Sequence, residues 1–406
     1  MTRSFKPFKF NHEYDQELPY SSCNDLGLYV HIPFCKQLCS FCPYCKVRYE
    51  ESIYQNYISA LIKEIELVGK QSQSKKSVTS LYFGGGTPAL ALDDFSQIIN
   101  MINQYFIINE GIGIELHPDN VTIPVLKRLK ELGVTKISIG IQSFQDKYQT
   151  ILERKEFDVE KIKTSLQTVP FETISMDFIF ALPNQTFKDL KNDIDLAFSI
   201  GANHVAIYPF IDFTFTNSKI KTMDKKAKRE LLDNITIYCL NKGYSRTSIW
   251  TFSNSKQAQY SSMTRTNYLG FGCSSVTLLK DQFKINTFSL ESYCQRINND
   301  KLPTALTLRF SQRQRMLYYL FWMAYSTKIN SYEFERFFQV PLNRAFKLEL
   351  FLAKKLNYLN EDNGIYSMTL KGAFYYHYYE NYYTLSYIDK MWNLLRNEAF
   401  PKKMTL

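Results

Sequence analysis

The 406-residue chain has no apolar run near the roughly 20 residues that a membrane-spanning helix requires. A membrane span is therefore excluded. Its opening residues, Met1-Thr2-Arg3-Ser4-Phe5-Lys6, have neither the apolar centre nor the small-residue cleavage site of a secretory signal. It also lacks tandem repeats, long low-complexity tracts and nucleic-acid-binding motifs. There is no Gly-Lys-Ser/Thr, so a P-loop is excluded. Eight cysteines in a chain of this length are too few for a disulfide scaffold. Thiols that must stay reduced imply a cytoplasmic protein. Lys and Arg total 49 against 39 Asp and Glu, a net charge of +10, with one dense patch at Lys221 to Arg229. That patch reads as a solvated helix face, or as a surface that attracts an acidic partner such as a tetrapyrrole with several propionates.

What the chain does have is a cluster of cysteines. Leu28 to Ile32 is a short apolar run of strand type. Pro33 stops it, because proline has no N–H to give to a ladder. Cys35, Cys39 and Cys42 follow in Cys-x-x-x-Cys-x-x-Cys spacing. Three thiolates on one loop leaving a strand can converge on one metal centre. Zinc is the first rival, but a structural zinc site wants four ligands, usually as two separated pairs. Only Cys45 is near enough to be a fourth, and no Cys or His pair follows at finger spacing. A chance group of core cysteines is the bland alternative, and three within eight residues is dense for packing alone. An iron–sulfur cluster held by three thiolates would leave one iron open to a ligand.

The remaining chain alternates strand and helix. Strands are expected at Val78 to Phe83, Ile112 to Leu116, Lys136 to Ile141, Thr173 to Phe180 and Val205 to Tyr208. Helices are expected at Ile53 to Val68, Leu92 to Tyr105, Ile123 to Leu132, Val159 to Thr168 and Phe187 to Ile200. Six strand–helix units in a row imply a parallel sheet with right-handed crossovers. Polar residues and glycines recur just after the strands, the face on which βα barrels build their chemistry. The fold expected is α/β, a partial (β/α)6 barrel. Beyond it come a basic helix near Met223 to Leu240, a strand at Ser248 to Phe252 and a polar loop running to Ser275. Lys301-Leu302-Pro303 marks a boundary, after which helices and a hairpin around Gly364 suggest a small winged-helix-like domain. The domains expected are a polar and aromatic N-terminal extension at 1–26 with a frayed start, a core barrel with its extension at 27–300, and a helical domain at 301–406. The tyrosines at 375, 376, 378, 379, 382 and 383 are expected to pack the domain interface.

Four motifs now stand together: His-Ile-Pro-Phe-Cys-x-x-x-Cys-x-Phe-Cys from His31, Gly-Gly-Gly-Thr-Pro from Gly84, Ile-Ser-Ile-Gly-Ile-Gln-Ser-Phe from Ile137, and Asp-Phe-Ile-Phe-Ala-Leu-Pro-x-Gln-Thr from Asp177. Over about Leu26 to Ser275 the chain resembles the radical S-adenosylmethionine (SAM) family of oxygen-independent coproporphyrinogen III oxidase and the heme chaperone HemW. The resemblance implies a 4Fe-4S cluster on Cys35, Cys39 and Cys42, whose open iron chelates SAM. One electron then cleaves the sulfonium and yields a 5'-deoxyadenosyl radical. It implies SAM contacts from Tyr29, Gly85, Gly86, Thr87, Glu115, Gln142, Arg154 and Asp177. Glu115 would face the α-ammonium, Arg154 can pair with a carboxylate in fork geometry, and Asp177 can hold ribose hydroxyls. Phe41 and Ile179 resemble positions lining a second SAM site, so one or two SAM molecules are expected.

Two departures separate this chain from the family pattern. The extra thiol Cys45 lies three residues after Cys42, where the oxidase has a cysteine two residues after its third. Cys45 is either an unligated thiol near the substrate, a catalytic candidate, or simply buried. The chaperone branch carries His-Asn-x-x-Tyr-Trp, and the nearest stretch here, Arg265 to Gly270, lacks both His and Trp. Tyr260 to Arg265 before Gly270-Phe271-Gly272 is similar to branches that use heme in methyl transfer. The function expected is reductive SAM cleavage acting on a tetrapyrrole or other small molecule, as in coproporphyrinogen oxidation, with a flavodoxin- or ferredoxin-type electron donor. Radical methylation with two SAM molecules and heme chaperoning are the alternatives.

Overall fold

The computed structural model describes residues 8–12, 17–254 and 266–406. The stretch from Tyr260 to Arg265 lies outside the described residues, as do Met1 to Lys6. Six strands lie side by side in chain order: β1 (Leu26–Ile32), β2 (Leu81–Gly85), β3 (Ile112–Leu116), β4 (Val134–Gln142), β5 (Thr173–Phe180) and β6 (His204–Pro209). Every neighbouring pair is parallel. Their near-continuous apolar sequences fit strands covered on both faces. The covering helices are α1 (Glu51–Gly69), α2 (Phe95–Tyr105), α3 (Ile123–Glu131), α4 (Val159–Thr168) and α5 (Phe187–Ser199). Helix α5 starts where Leu-Pro-Asn-Gln-Thr places a cap. Thr186 Oγ1 accepts the Asp189 N–H, and Asp189 accepts the Thr186 N–H, so two otherwise orphaned donors are satisfied. The six-unit partial barrel is as expected.

The sheet does not end there. The loop read through Tyr268 is a strand, β7 (Asn267–Phe271), parallel to β1 on its free side. Antiparallel strands Val276–Leu278, Gln282–Asn286 and Thr304–Arg309 continue outward. The strand Lys9–Asn11 pairs with Thr304–Arg309 and with Lys403–Thr405. The sheet therefore runs across the boundary read at Lys301-Leu302-Pro303, and where fraying was expected the N-terminal extension contributes an inner strand, with Lys403–Thr405 at the edge. Sequence pattern missed this because both strands are three residues long and gain their order from partners far along the chain, Phe10 from Leu308 and Met404 from Phe10. On the other side, the single strand expected at Ser248 to Phe252 is a tight hairpin, Ser245–Ser248 with Thr251–Ser253. Between Leu342–Ala345 and Lys347–Lys355 the helix breaks at Phe346, which is 2% exposed and anchors the bend in the core.

The C-terminal region contains helices Gln312–Tyr325, Ser331–Phe338 and Lys347–Lys355, followed by the hairpin Leu359–Asp362/Ile365–Met368. Helix Leu370–Tyr383 then carries the tyrosine row. Tyr376 is buried and its hydroxyl donates to the Phe321 carbonyl at 2.8 Å, whereas Tyr375, Tyr378 and Tyr382 are exposed. Helical phase thus splits a row that was expected to pack as one. The basic patch is not purely solvated either. On α6 (Lys225–Asn241), Lys225 Nζ sits 3.4 Å from the Tyr378 ring centroid and Arg229 stacks 4.2 Å from Phe374. The last helix, Asp389–Asn397, reaches back to the cysteine loop. Trp392 stacks on Phe213 and meets Tyr44, and Arg396 donates to the Pro43 carbonyl. No helix among the described residues is long and apolar enough to cross a membrane.

Candidate functional site

Strands β1, β3, β5 and β6 are buried throughout except at one residue each: Tyr29, Glu115, Asp177 and Tyr208. A single partly open position on an otherwise buried strand faces a lumen. Tyr29 lies against Tyr82 of β2, rings stacked 6.3 Å apart, and the Tyr82 hydroxyl donates to Glu115 Oε1 at 3.4 Å. Ser138 of β4 donates to Asp177 Oδ2 at 2.8 Å. Tyr82, Ser138 and Tyr208 were not singled out from the sequence. Each is placed by cross-strand register, which no local pattern shows: Tyr82 beside Tyr29, Ser138 beside Glu115 and Tyr208 beside Ile179.

The two lumen carboxylates are both held unusually high. Desolvation pushes Glu115 up to about 7 against the Gly85 N–H, which donates to it at 3.1 Å. Asp177 is also pushed up to about 7, first by desolvation and further by the nearby Glu115 charge. In the unfolded chain Glu115 loses its proton near 4.5, but in the folded state only near 7. Stability from this group therefore falls as pH rises between those values and is level above them. Ligand-free Glu115→Gln protein is expected to be about 1–2 kcal/mol more stable than the parent at about pH 8 and no more stable at about pH 4. Melting curves of the two proteins at both pH values test this; an equal difference at the two pH values would sink it.

The cysteine loop lies over the same end of the barrel. Cys35 follows Pro33 in the two-residue strand Phe34–Cys35, paired with Val47–Arg48. Thr87 Oγ1 donates to its sulfur at 3.8 Å. Burial raises the Cys35 thiol to about 11, and the Cys42 and Cys39 sulfurs are close enough to add to that. Cys39 is likewise raised by burial, an effect opposed by Arg154. The glycine loop is sewn beneath: the Gly86 N–H donates to the Ile32 carbonyl and the Thr87 N–H to the Phe34 carbonyl, both at 2.8 Å. Gly85 has φ +122°, a backbone that side chains avoid, and this aims its N–H at Glu115.

Arg154 completes the arrangement. Its Nε and Nη2 are buried and have no hydrogen-bond partner among the described residues. Burial lowers its pKa, opposed by Cys39, Asp119, Cys42 and Cys35 around it. A buried guanidinium with free donors beside three thiols is a seat for an anionic group. Gln142 ends β4 with φ 70°, a strained backbone of the kind that collects at functional sites. Phe41 and Ile179 meet in a small apolar cluster with Tyr148, Leu152, Leu182 and Phe210, separate from the main core. Cys45 is the exception. It is 5% exposed, and its sulfur contacts the Cys273 sulfur and the Phe288 carbonyl.

Three thiols on one loop, an unpaired cation beside them and a glycine floor match the donor set that a site-differentiated iron–sulfur cluster and SAM require. Comparison with known proteins agrees. Residues 29–197 match the radical SAM superfamily. The chain is 33% identical over 190 residues to the heme chaperone HemW of Bacillus subtilis, covering 45% of this chain and 50% of that protein. It is 24% identical over 378 residues to an oxygen-independent coproporphyrinogen III oxidase of Helicobacter pylori, covering 86% of this chain and 81% of that one. In fold it resembles the coproporphyrinogen III oxidase HemN of Escherichia coli, with TM-score 0.74 and 21% identity over 88% of each chain. It thus spans only half of the Bacillus relative.

Proposed function

We propose, for a chain that carries a radical SAM domain over residues 29–197 and has both coproporphyrinogen oxidases and heme chaperones as relatives, an enzyme that cleaves SAM reductively and acts on a tetrapyrrole. The observation that carries this reading is the buried, unpartnered Arg154 guanidinium beside Cys35, Cys39 and Cys42. Those donors fit a carboxylate such as that of SAM.

In this reading Cys35, Cys39 and Cys42 would hold a 4Fe-4S cluster, and the chemistry that group would supply is one-electron reduction of SAM. Arg154 holds the SAM carboxylate in fork geometry. Glu115 accepts from the α-ammonium, and that cation would release the desolvation that holds its proton. Asp177, aligned by Ser138, takes the ribose hydroxyls. Tyr29, Gln142 and the backbone of Gly85, Gly86 and Thr87 close the rim. Phe41 and Ile179 supply apolar lining for one or two SAM molecules. A flavodoxin- or ferredoxin-type protein is the proposed donor.

The test is anaerobic. The protein is reconstituted with iron and sulfide, reduced, and given SAM with either coproporphyrinogen III or heme. The expected result is 5'-deoxyadenosine well above the level without tetrapyrrole. Accompanying S-adenosylhomocysteine would mean methyl transfer, and its absence dehydrogenation. Unchanged 5'-deoxyadenosine with tight heme binding would replace this reading with the chaperone one.

A further inference from the structure

The thiol that the cysteine loop does not use belongs to a second cluster. Cys45, Cys273 and His31 are 5%, 0% and 3% exposed. One ligand atom from each lies within 4.8 Å of the other two. They come from three separate pieces of chain: the far end of the cysteine loop, the turn after β7, and β1. The Cys45 and Cys273 sulfurs are 4.0 Å apart. Tetrahedral zinc with Zn–S bonds of about 2.3 Å places two sulfurs about 3.8 Å apart. A disulfide would have to close that gap to about 2.05 Å. The pair therefore stands near the spacing of two thiolates on one metal and far from that of a bond.

The surroundings hold these three groups in place. The Tyr57 hydroxyl donates to the His31 carbonyl at 2.8 Å, and the Cys273 N–H donates to the Tyr57 oxygen at 3.1 Å. His31 Nδ1 lies 3.1 Å from the Tyr29 hydroxyl. Without metal, Nε2–H donates to the Cys45 carbonyl at 2.9 Å and Nδ1 accepts from the Tyr29 hydroxyl. On metal binding the ring proton moves to Nδ1, where the Tyr29 oxygen accepts it, and the freed Nε2 lone pair faces the ion, the outer-shell arrangement common to metal-bound imidazoles. The Phe288 carbonyl, 3.4 Å from Cys45 Sγ, bounds the remaining side.

We propose that His31, Cys45 and Cys273 form a binding site for a thiophilic divalent cation of the zinc type, separate from the Cys35–Cys39–Cys42 loop. Binding releases the two thiol protons to solvent and moves no electron. Two thiolates and one divalent ion leave the buried site neutral. The ion would tie the far end of the cysteine loop to β1 and to the turn after β7. The proposal is independent of the radical SAM reading, and its test removes the other loop.

The protein used is the full chain carrying Cys35→Ser, Cys39→Ser and Cys42→Ser, stripped of metal, reduced and kept anaerobic. Zn2+ is titrated against a chromophoric chelator. One tightly bound zinc per chain is expected. Adding Cys273→Ser should weaken it by roughly 100-fold or more, since losing even an outer-shell partner costs about 10–100-fold. Absence of stoichiometric zinc, or affinity indifferent to Cys273→Ser, overturns the proposal. Should the Cys273→Ser protein not fold, alkylation of the triple variant with and without Zn2+, mapped by mass spectrometry, decides instead. Zinc should protect Cys45 and Cys273 and leave Cys23 unchanged. Equal labelling of Cys45 and Cys273 in the two conditions overturns it.

Discussion

Replacing Cys39 by alanine is expected to abolish the iron–sulfur cluster while leaving the fold intact. Cys39 is only partly buried, and its backbone carbonyl accepts the Cys42 N–H at 3.4 Å, a contact the substitution keeps. Its side chain supports no strand or helix. The stability change should therefore stay within about 0.5 kcal/mol, as for other substitutions away from the core. The chemistry does not tolerate it. Two thiolates cannot hold a cluster that three of them leave with one open iron, and Cys45 cannot replace the lost ligand, because its sulfur is packed against Cys273 and the Phe288 carbonyl. Iron and sulfide after reconstitution, with the visible spectrum, measure the result. A full complement with a 4Fe-4S spectrum in Cys39→Ala protein would falsify the ligand assignment.

The second large effect is expected from one methyl group. A Cβ added at Gly86 would stand 2.6 Å from the Phe34 carbonyl oxygen, 2.9 Å from Cys35 Sγ and 2.9 Å from the Pro33 carbonyl carbon. Two of these three are backbone, and they cannot step aside. The Phe34 carbonyl is held by the Thr87 N–H, and the neighbouring Ile32 carbonyl by the Gly86 N–H. The added methyl must pry the glycine loop off the cysteine loop. Gly86→Ala should cost about 1–3 kcal/mol, the usual range for overpacking a close contact. It should also displace the Cys35 sulfur and lower cluster content after reconstitution. Chemical denaturation and iron analysis on the same preparation test both halves. Parental stability together with parental iron would show that the two loops do not depend on this close approach.

The legible part of this molecule was local. Strands β3 and β5 fall where the apolar runs placed them, and α4 spans the residues read as helical. The cysteine spacing and the triple glycine marked the site because both are demands of backbone geometry within a few residues. Less legible were features whose cause lies far along the chain. The short strands at Lys9–Asn11 and Lys403–Thr405 have no period of their own; Thr304–Arg309 orders the first, and the first orders the second. The split of the tyrosine row follows from which face of helix Leu370–Tyr383 meets Phe321, which alternation along the row does not reveal.

Sequence alone determined that a strand–helix repeat would carry a thiol loop and a glycine loop to one end of a parallel sheet. Periodicity and turn chemistry act over a handful of residues, and the motifs are contiguous. Only the tertiary structure decided what each polar group faces. It left Arg154 Nε and Nη2 buried with no hydrogen-bond partner among the described residues, brought Glu115 and Asp177 close enough for one charge to raise the other, and placed Cys45 beside Cys273 across 228 residues of chain. Such pairings depend on strand order and register across the sheet, and no local pattern encodes them.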